Sequence, residues 1–535
     1  MRIYTIAFLI LFAASATIHA REITVEPDPN GRPVLAKAIE SAAAGDSLLI
    51  KKGVYRETLV ITKTLKLSGE AGAVIDPSEA FAPQWTAETA IGKGVYGAKV
   101  PDRSRALMLD GKILAEIDSR RANEEGEWFW KTLLATGTPK SKFTYVRALW
   151  MYHAPEKKIY LHLADDASPE KLTWTILWSK EPVISIRGAA EVSVTGLTLA
   201  HGYTGVELRE KASRCTISNS TIGPWEKHGV LIGGEASECL IEKNEIFRGA
   251  YEDWKPLEPK ERYEVWQIHK KVGYYDRVGI DLVRAGVGNR IHANHVFETF
   301  DGINIGDSGV ESLDVPLANP DHGKGTEIWD NVIENTRDSG MELGVGCIDV
   351  KVHHNILRQT HGGLRFKLPR IGPVYIYRNL LVDGSPFNIW YSMDDSPAEG
   401  YVYHNTIVGG SAAMIYSSFS KGGHQIGAPK WHYYNNLCVT KGFFANHKVN
   451  APLNFTADYN LVVGGGKPWP EDRAKDQHSL YVEEIALSKE YHPLPGSPAI
   501  DAGLDLSTIR DGKPLPGCEG HYFKGKAPDI GAYEE

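Results

Sequence analysis

The stretch from Asp338 to Lys367 alternates apolar and polar residues in short runs separated by turns. Gly340-Met-Glu-Leu-Gly344 and Val350-Lys-Val352 place every second residue on one face, the spacing of a half-buried β-strand. The chain turns at Asn355 and reaches a matching run, Gly363-Leu-Arg-Phe-Lys367, 23 residues after Gly340. Such runs recur through the last two thirds of the sequence, with asparagines at their corners: Asn219, Asn244, Asn294, Asn331, Asn355, Asn379, Asn405, Asn436 and Asn460. Their separations are 25, 50, 37, 24, 24, 26, 31 and 24 residues, so the longest steps hold a turn plus extra residues. We assign these asparagines to tight corners, where the residue tolerates a left-handed backbone and its amide bonds along a ladder. A leucine-rich repeat has a similar period, but its LxxLxLxxN spacing and its helices are absent. The pattern predicts an all-β parallel β-helix whose turns stack at roughly the sheet spacing of 4.8 Å.

Residues 1–20 place Arg2 ahead of an apolar run, Ile6 to Ala14, and then small and polar residues, the layout of a secretory signal peptide. That run is too short to span a bilayer comfortably. In residues 21–83 an amphipathic helix over 33–44, with Val34, Leu35, Ala38, Ile39 and Ala42 on one face, precedes strands at 47–50, 58–61 and 64–67. Such a helix covers the open edge of the first turn. This opening resembles the start of right-handed parallel β-helix enzymes such as pectin methylesterases, which implies a right-handed solenoid with an N-terminal capping helix.

Residues 84–180 lose the repeat and form an inserted β-rich module, in which Leu107 to Leu114 reads as a hairpin around Asp110-Gly111. Its segments Gly126-Glu-Trp-Phe-Trp130, Trp150-Met-Tyr152 and Lys158-Ile-Tyr-Leu-His162 resemble an insertion of exported β-helix glycosidases, including the β-xylosidase and α-L-fucosidase families. As residues alone, these aromatics suit a core or a sugar site equally. The main β-helix then runs over 181–465, with insertions at 252–277 and 307–323. Residues 466–535 carry Gly496-Ser-Pro-Ala-Ile-Asp-Ala-Gly503 and Asp529-Ile-Gly-Ala-Tyr-Glu534, which resemble the closing segment of exported bacterial β-helix proteins.

A net charge of -8, a pI near 6.2 and the lack of a basic block argue against nucleic acid as a partner. No later stretch is apolar enough for a membrane helix. Five cysteines cannot all pair, and Cys215 and Cys239, in the matching contexts SRCTI and SECLI, read as stacked buried thiols. Oligomeric state has no signature in the sequence.

Aligning the turns on Gly205, Gly229, Gly279, Gly302, Gly340 and Gly363, and then on Asn388-Ile-Trp390, brings one sheet into register. Alternation then points Ile280, Ile303, Met341 and Leu364 inward and Asp281, Asn304, Glu342, Arg365 and Trp390 outward, with Lys367 and Ser392 further along the same face. A solvated sheet face is also polar, but acid, amide, acid, base and aromatic on five successive rungs is a grouping in which perturbed carboxyls arise. The insertion before Asp281 brings Trp254, Tyr263, Trp266, His269, Tyr274 and Tyr275, either to stack on sugar rings or to form a loop core.

Glycoside hydrolysis uses one protonated and one ionised carboxyl group. Asp281 and Glu342 lead, two rungs and so roughly 9.6 Å apart along the backbone, near the inverting range. Asp301 and Asp307 border the same strand and can replace either, Asp338 is a weaker candidate, and Arg365 orients a carboxylate or binds an anion. Asn304, Lys367, Trp390, Trp266, Tyr263, His269, Asp394 and Asp395 are assigned to substrate binding, with a poly- or oligosaccharide as the partner and no cofactor required.

The order Asn304, Glu342, Arg365 is also similar to that of calcium-dependent β-helix lyases of the chondroitinase B and alginate lyase type. That resemblance implies Asn304 and Glu342 as Ca2+ ligands, Arg365 as acid and Lys367 as base. The sequence departs from it, with one glutamate on the metal strand and the lysine off the expected strand. A non-catalytic glycan-binding β-helix, with an even polar face, is the third reading. The histidines form no metal motif, since His353 and His354 fall on opposite strand faces, and there is no G-x-S-x-G elbow or phosphate loop. The expectation is an exported glycoside hydrolase.

Overall fold

A computed structural model of the chain describes residues 20–117, 133–134, 146–252, 254, 257–272, 276–306, 321–344, 347–366, 372–384, 387–392, 399–410, 413–417, 430–440, 444–447, 454–464 and 476–535. Residues 1–19, within the segment that the sequence reads as a signal peptide, and Gly126 to Trp130 lie outside these residues.

Three long parallel sheets share the successive turns of the chain. Sheet I has 13 strands, from Glu22–Val25 to Asn454–Asp458; sheet II has 13, from Gly53–Tyr55 to Leu480–Val482; sheet III has 11, from Leu59–Ile61 to Phe444–His447. One turn visits III, I and II in order, as in Ile184–Arg187, Ser193–Thr195 and Thr198–Leu199, before re-entering sheet III at Gly202–Arg209. Within sheet III, Val230, Ile280, Ile303, Met341, Leu364 and Ile389 fall in one register column, and all are buried in the common core. Each such side chain contributes roughly 1.5–3 kcal/mol by leaving water, and a one-residue slip would turn the whole column outward. The strands that matter for the site are β1 (Trp225–Gly233), β2 (Val278–Val283), β3 (Asp301–Ile305), β4 (Ser339–Leu343), β5 (Gly362–Phe366) and β6 (Phe387–Ser392).

Helix α1 (Leu35–Ser41) buries Leu35 and Ile39 in the core at the first turns. Its N-terminal amides, of Val34, Leu35 and Ala36, donate to the Glu57 carboxylate at 2.8–3.0 Å, a cap delivered from the connection between Gly53–Tyr55 and Leu59–Ile61.

The corner ladder differs from the sequence reading in two respects. Asn244, Asn294, Asn331, Asn355, Asn379, Asn405, Asn436 and Asn460 form it, each of the first seven donating from both its backbone and its side-chain amide to Oδ1 of the next. Asn219 is not a member: it is exposed, and the adjacent Ser220 takes the ladder place, donating its backbone N–H to Asn244 Oδ1. The left-handed residue is also not the ladder asparagine but the one before it, as at Lys243, Ala293, Asp330, His354, Arg378, His404, Asn435 and Tyr459. The asparagine points its amide into the stack, and its neighbour makes the bend. At His354 (φ 55°) that bend swings the ring back, leaving its Nδ1 2.8 Å from His353 Nδ1 instead of on an opposite face.

The inserted module holds a four-stranded and a five-stranded sheet with mostly antiparallel pairing. Leu109 pairs with Lys112 across Asp110 and Gly111, both with positive φ, as the two-residue turn demands. The insertion before β2 is a helix, α2 (Pro259–Val272), rather than a plain loop. Its Ile268 enters a hydrophobic cluster of the module with Leu149, Met151 and Tyr160, so α2 lies between module and solenoid. At the other end, the tail crosses sheet I and its corner: Tyr403 Oη donates to Pro516 O at 2.6 Å, Gly531 N to Asn435 O and Ala532 N to Thr406 Oγ1 at 2.9 Å each. Cys215 and Cys239 are free and buried.

Candidate active site

Sheet III brings the outward column into direct register, Asp281 beside Asn304, then Glu342, Arg365 and the Trp390 backbone. The face is not an open one. Asp281 and Asn304 are 4% and 8% exposed, and the side chains of Glu342 and Arg365 12% and 13%. Glu342 and Arg365 pair at 3.4 Å. Asp281 stands apart from this pair, with its Oδ2 3.3 Å from His228 Nε2 on β1.

Two further buried carboxyls, Asp301 and Asp338, stand at the strand mouths. The amides of Phe300 and Asp301 both donate to the carbonyl of Arg277 at 3.1 Å, a local bulge that sets where β3 begins. Arg277 is itself anchored 2.8 Å from Glu226, which also holds Arg248 at 3.0 Å. Beside Asp301, a Cβ on Gly302 would lie 2.3 Å from the Gly340 carbonyl oxygen, so only glycine fits there. On the next rung Asp338 donates its backbone N–H to Phe300 O at 2.7 Å, and Asp301 Oδ1 accepts the Ser339 N–H at 3.1 Å.

These two buried aspartates titrate in opposite directions. Burial, with the charges of Asp338, Glu342 and Asp276 around it, pushes Asp301 well above the ordinary carboxylate range. Burial works on Asp338 too, but Lys270, Arg365, His361 and the Trp266 N–H hold it below that range. Trp266 Nε1 donates to Asp338 Oδ2 at 2.7 Å and Lys270 Nζ lies 3.4 Å from the same oxygen, both from α2. His361 is driven down to about 4, chiefly by burial, and stays neutral at pH 7. Two carboxyls whose surroundings separate their protonation states are the pattern of an acid and its ionised partner.

Rings of α2 complete the site. Trp266 stacks on His361 at 5.2 Å and on Tyr263 at 5.7 Å, and Tyr263 is 43% exposed. His269 faces elsewhere: it is buried, with Nε2 3.1 Å from Glu252 and its ring edge-on to Phe300. Trp254 likewise faces elsewhere, packed under the Arg337 guanidinium at 4.3 Å. Asp307, Lys367, Asp394, Asp395, Tyr274 and Tyr275 lie outside the described residues, as does the side chain of Trp390.

The structure brings Lys270 and His361, which the sequence reading did not name, to Asp338, its weaker candidate. The available signal was the helical spacing of Arg262, Val265, Trp266, His269 and Lys270. Asn304 and Glu342 stand on adjacent rungs of sheet III. Glu342 pairs with Arg365, and no group of three or more histidine, cysteine, aspartate or glutamate side chains placed to hold a metal occurs among the described residues.

A family model described as a right handed beta helix region matches residues 182–367, the segment that carries β1 to β5. The chain is a right-handed parallel β-helix. Among solved structures this β-helix is similar to a complex of XylC with xylose, at 14% identity and a TM-score of 0.55, over 96% of this chain and 98% of that one. It is also similar to pectate lyase Pel9A, at 13% identity and a TM-score of 0.43 over 97% of both chains. A family 28 exopolygalacturonase of Yersinia enterocolitica follows at 12% identity and a TM-score of 0.39, over 88% of this chain and 79% of that one. At these identities the likeness is one of fold. Curated proteins provide no match, and no helix among the described residues is long and apolar enough to cross a membrane.

Proposed function

We propose that this β-helix is an exported glycoside hydrolase acting on a neutral poly- or oligosaccharide, with Asp301 as the proton donor and Asp338 as its ionised partner. One observation carries the reading: adjacent rungs hold two buried carboxyls, one pushed up and one held down. Cleavage of a glycosidic bond needs that combination, a proton for the departing oxygen and a carboxylate for the anomeric carbon or for water. The register sets Asp301 opposite Ser339, so Asp338 lies one rung over and one residue back, and we take the closer, retaining arrangement in place of the inverting spacing drawn from Asp281 and Glu342. In that mechanism Asp301 protonates the leaving oxygen while an Asp338 oxygen bonds to the anomeric carbon. Asp301, now ionised, then takes a proton from the water that releases the sugar.

Trp266 and Lys270 hold the Asp338 charge, and Glu342, Arg365 and Tyr263 form the more accessible rim of the site. Lys367, Trp390, Asp394 and Asp395 stay assigned to substrate on the sequence register alone.

A lyase must neutralise a uronate carboxylate with a cation. Arg365 and Lys270 each already face a carboxylate, Glu342 and Asp338, which supports hydrolysis over elimination. Export rests on the layout of residues 1–20, and N-terminal sequencing of the protein recovered outside the cytoplasm tests it.

The deciding assay offers neutral and uronate-containing glycans and follows new reducing ends together with ultraviolet absorbance. Reducing ends without absorbance, lost in Asp301→Asn and in Asp338→Asn, are the expected result. Absorbance from an unsaturated uronate establishes the lyase instead, and binding without cleavage establishes the non-catalytic reading.

A further inference from the structure

Two acceptor oxygens on neighbouring rungs have no donor. Asp281 Oδ1 and Asn304 Oδ1 are closed off from solvent and find no hydrogen-bond partner among the described residues. Both side chains are more than nine-tenths buried. β2 and β3 pair Asp281 directly with Asn304, so the two side chains belong to one outward column, their backbones a rung of roughly 4.8 Å apart. His228 accounts for Asp281 Oδ2 only. A buried acceptor left unmade weakens a fold, so a pair of them in one column points to donors that arrive from outside.

The chemistry of those donors is restricted. A carboxylate oxygen and an amide oxygen both ask for O–H or N–H groups, and Glu342, the next residue in the column, adds a second carboxylate. An anionic group such as a uronate carboxylate or a phosphate is repelled. No group of three or more histidine, cysteine, aspartate or glutamate side chains placed to hold a metal is present among the described residues, so the unanswered oxygens are assigned to hydrogen-bond donors. Two hydroxyls fixed on one ring arrive already oriented, which suits two fixed acceptors better than two independent molecules do.

We propose that Asp281 and Asn304 form a hydroxyl-reading subsite, in which two neighbouring hydroxyls of a neutral sugar ring each donate to one of these oxygens and so seat the ring against Glu342 and Asp301. The subsite deepens the hydrolase reading and rests on it for the substrate class. It makes Asp281 a binding residue rather than the leading acid. Specificity follows, because a site built to accept a hydroxyl rejects the deoxy analogue strongly.

The test measures binding to Asp301→Asn, which needs no turnover, by ligand-observed NMR with methyl xylosides, glucosides and galactosides and their 2-deoxy, 3-deoxy and 4-deoxy forms. At least one parent glycoside is expected to bind, and removal of either recognised hydroxyl weakens it roughly 10- to 100-fold. Adding Asp281→Ala or Asn304→Ala weakens the parent by a similar factor, and each erases the penalty of only one deoxy analogue. Melting temperature stays level in these variants, whereas a purely structural role for either residue lowers it. Equal binding of parent and deoxy forms, unchanged deoxy penalties in the variants, or no binding of any parent overturns the subsite. Cleavage of a neutral glycan by the unaltered protein alongside such a failure leaves the hydrolase reading standing. The binding pattern without any cleavage upholds the subsite and removes the hydrolase.

Discussion

Between sheets I and II, eight turns carry the same residue, Asn244 to Asn460, while on the outer face of sheet III consecutive turns carry Asp281, Asn304, Glu342 and Arg365. Both are columns along one solenoid with one rung spacing, and they differ in how their polar atoms are used. Each ladder amide is answered by the next, so Asn355 gives its side-chain N–H to Asn379 Oδ1, Ile328 O and His353 O. In the outer column Asp281 and Asn304 keep an acceptor unanswered, and the neighbouring Asp301 is held in an environment that penalises its charge. In a stacked fold, a position repeated unchanged can satisfy itself, whereas a position that varies from rung to rung leaves chemistry to be completed by something else.

That contrast can be broken by experiment. The largest effect is expected at the strand mouths: Asp301→Asn and Asp338→Asn each lose roughly 10²- to 10⁴-fold in turnover, with thermal unfolding little changed. Unfolding of either variant would move these residues to the structural column. Asn355→Ala should do the reverse, lowering stability by about 2–4 kcal/mol through several orphaned buried groups and leaving turnover per folded molecule intact in urea titration. Trp266→Phe keeps the ring and removes the donor to Asp338. The Asp338 pKa, held down in part by that bond, then rises, so activity is lost at a higher pH on the acid side while turnover at neutral pH changes little.

The same signs shape the pH profile of the unaltered protein. Asp338 must be ionised, so the acid limb falls below the usual carboxylate range. Asp301 must be protonated, so the alkaline limb lies well above that range. A limb set by an ordinary carboxyl on the alkaline side removes Asp301 as donor. The smallest effect is expected from a chelator, which leaves activity unchanged; loss of activity would return Asn304 and Glu342 to the calcium reading.

The fold was legible because its signal is repetitive: Asn331, Asn355 and Asn379 recur at 24 residues whatever lies between them, and glycines such as Gly340 and Gly363 set the register of Glu342 with Arg365. The site was legible only as far as that register reached. Asp338 precedes its strand, where alternation no longer tells which way a side chain points, and its partners Trp266 and Lys270 come from a helix 72 and 68 residues earlier. No local pattern encodes such a meeting. Asn219 misled for the opposite reason: it stands at a real corner but occupies the bend, one residue ahead of the ladder position held by Ser220.

Helix α2 gives the inserted module a task beyond its own stability. Ile268 is fixed among the module's Leu149, Met151 and Tyr160, while two residues away Trp266 reaches Asp338, and the chain between has no slack because both lie on one helix. The module is therefore the far bearing of a short lever whose near end rests on a carboxylate. Loosening Met151 or Tyr160 in the module would be felt as a change in the acidity of Asp338.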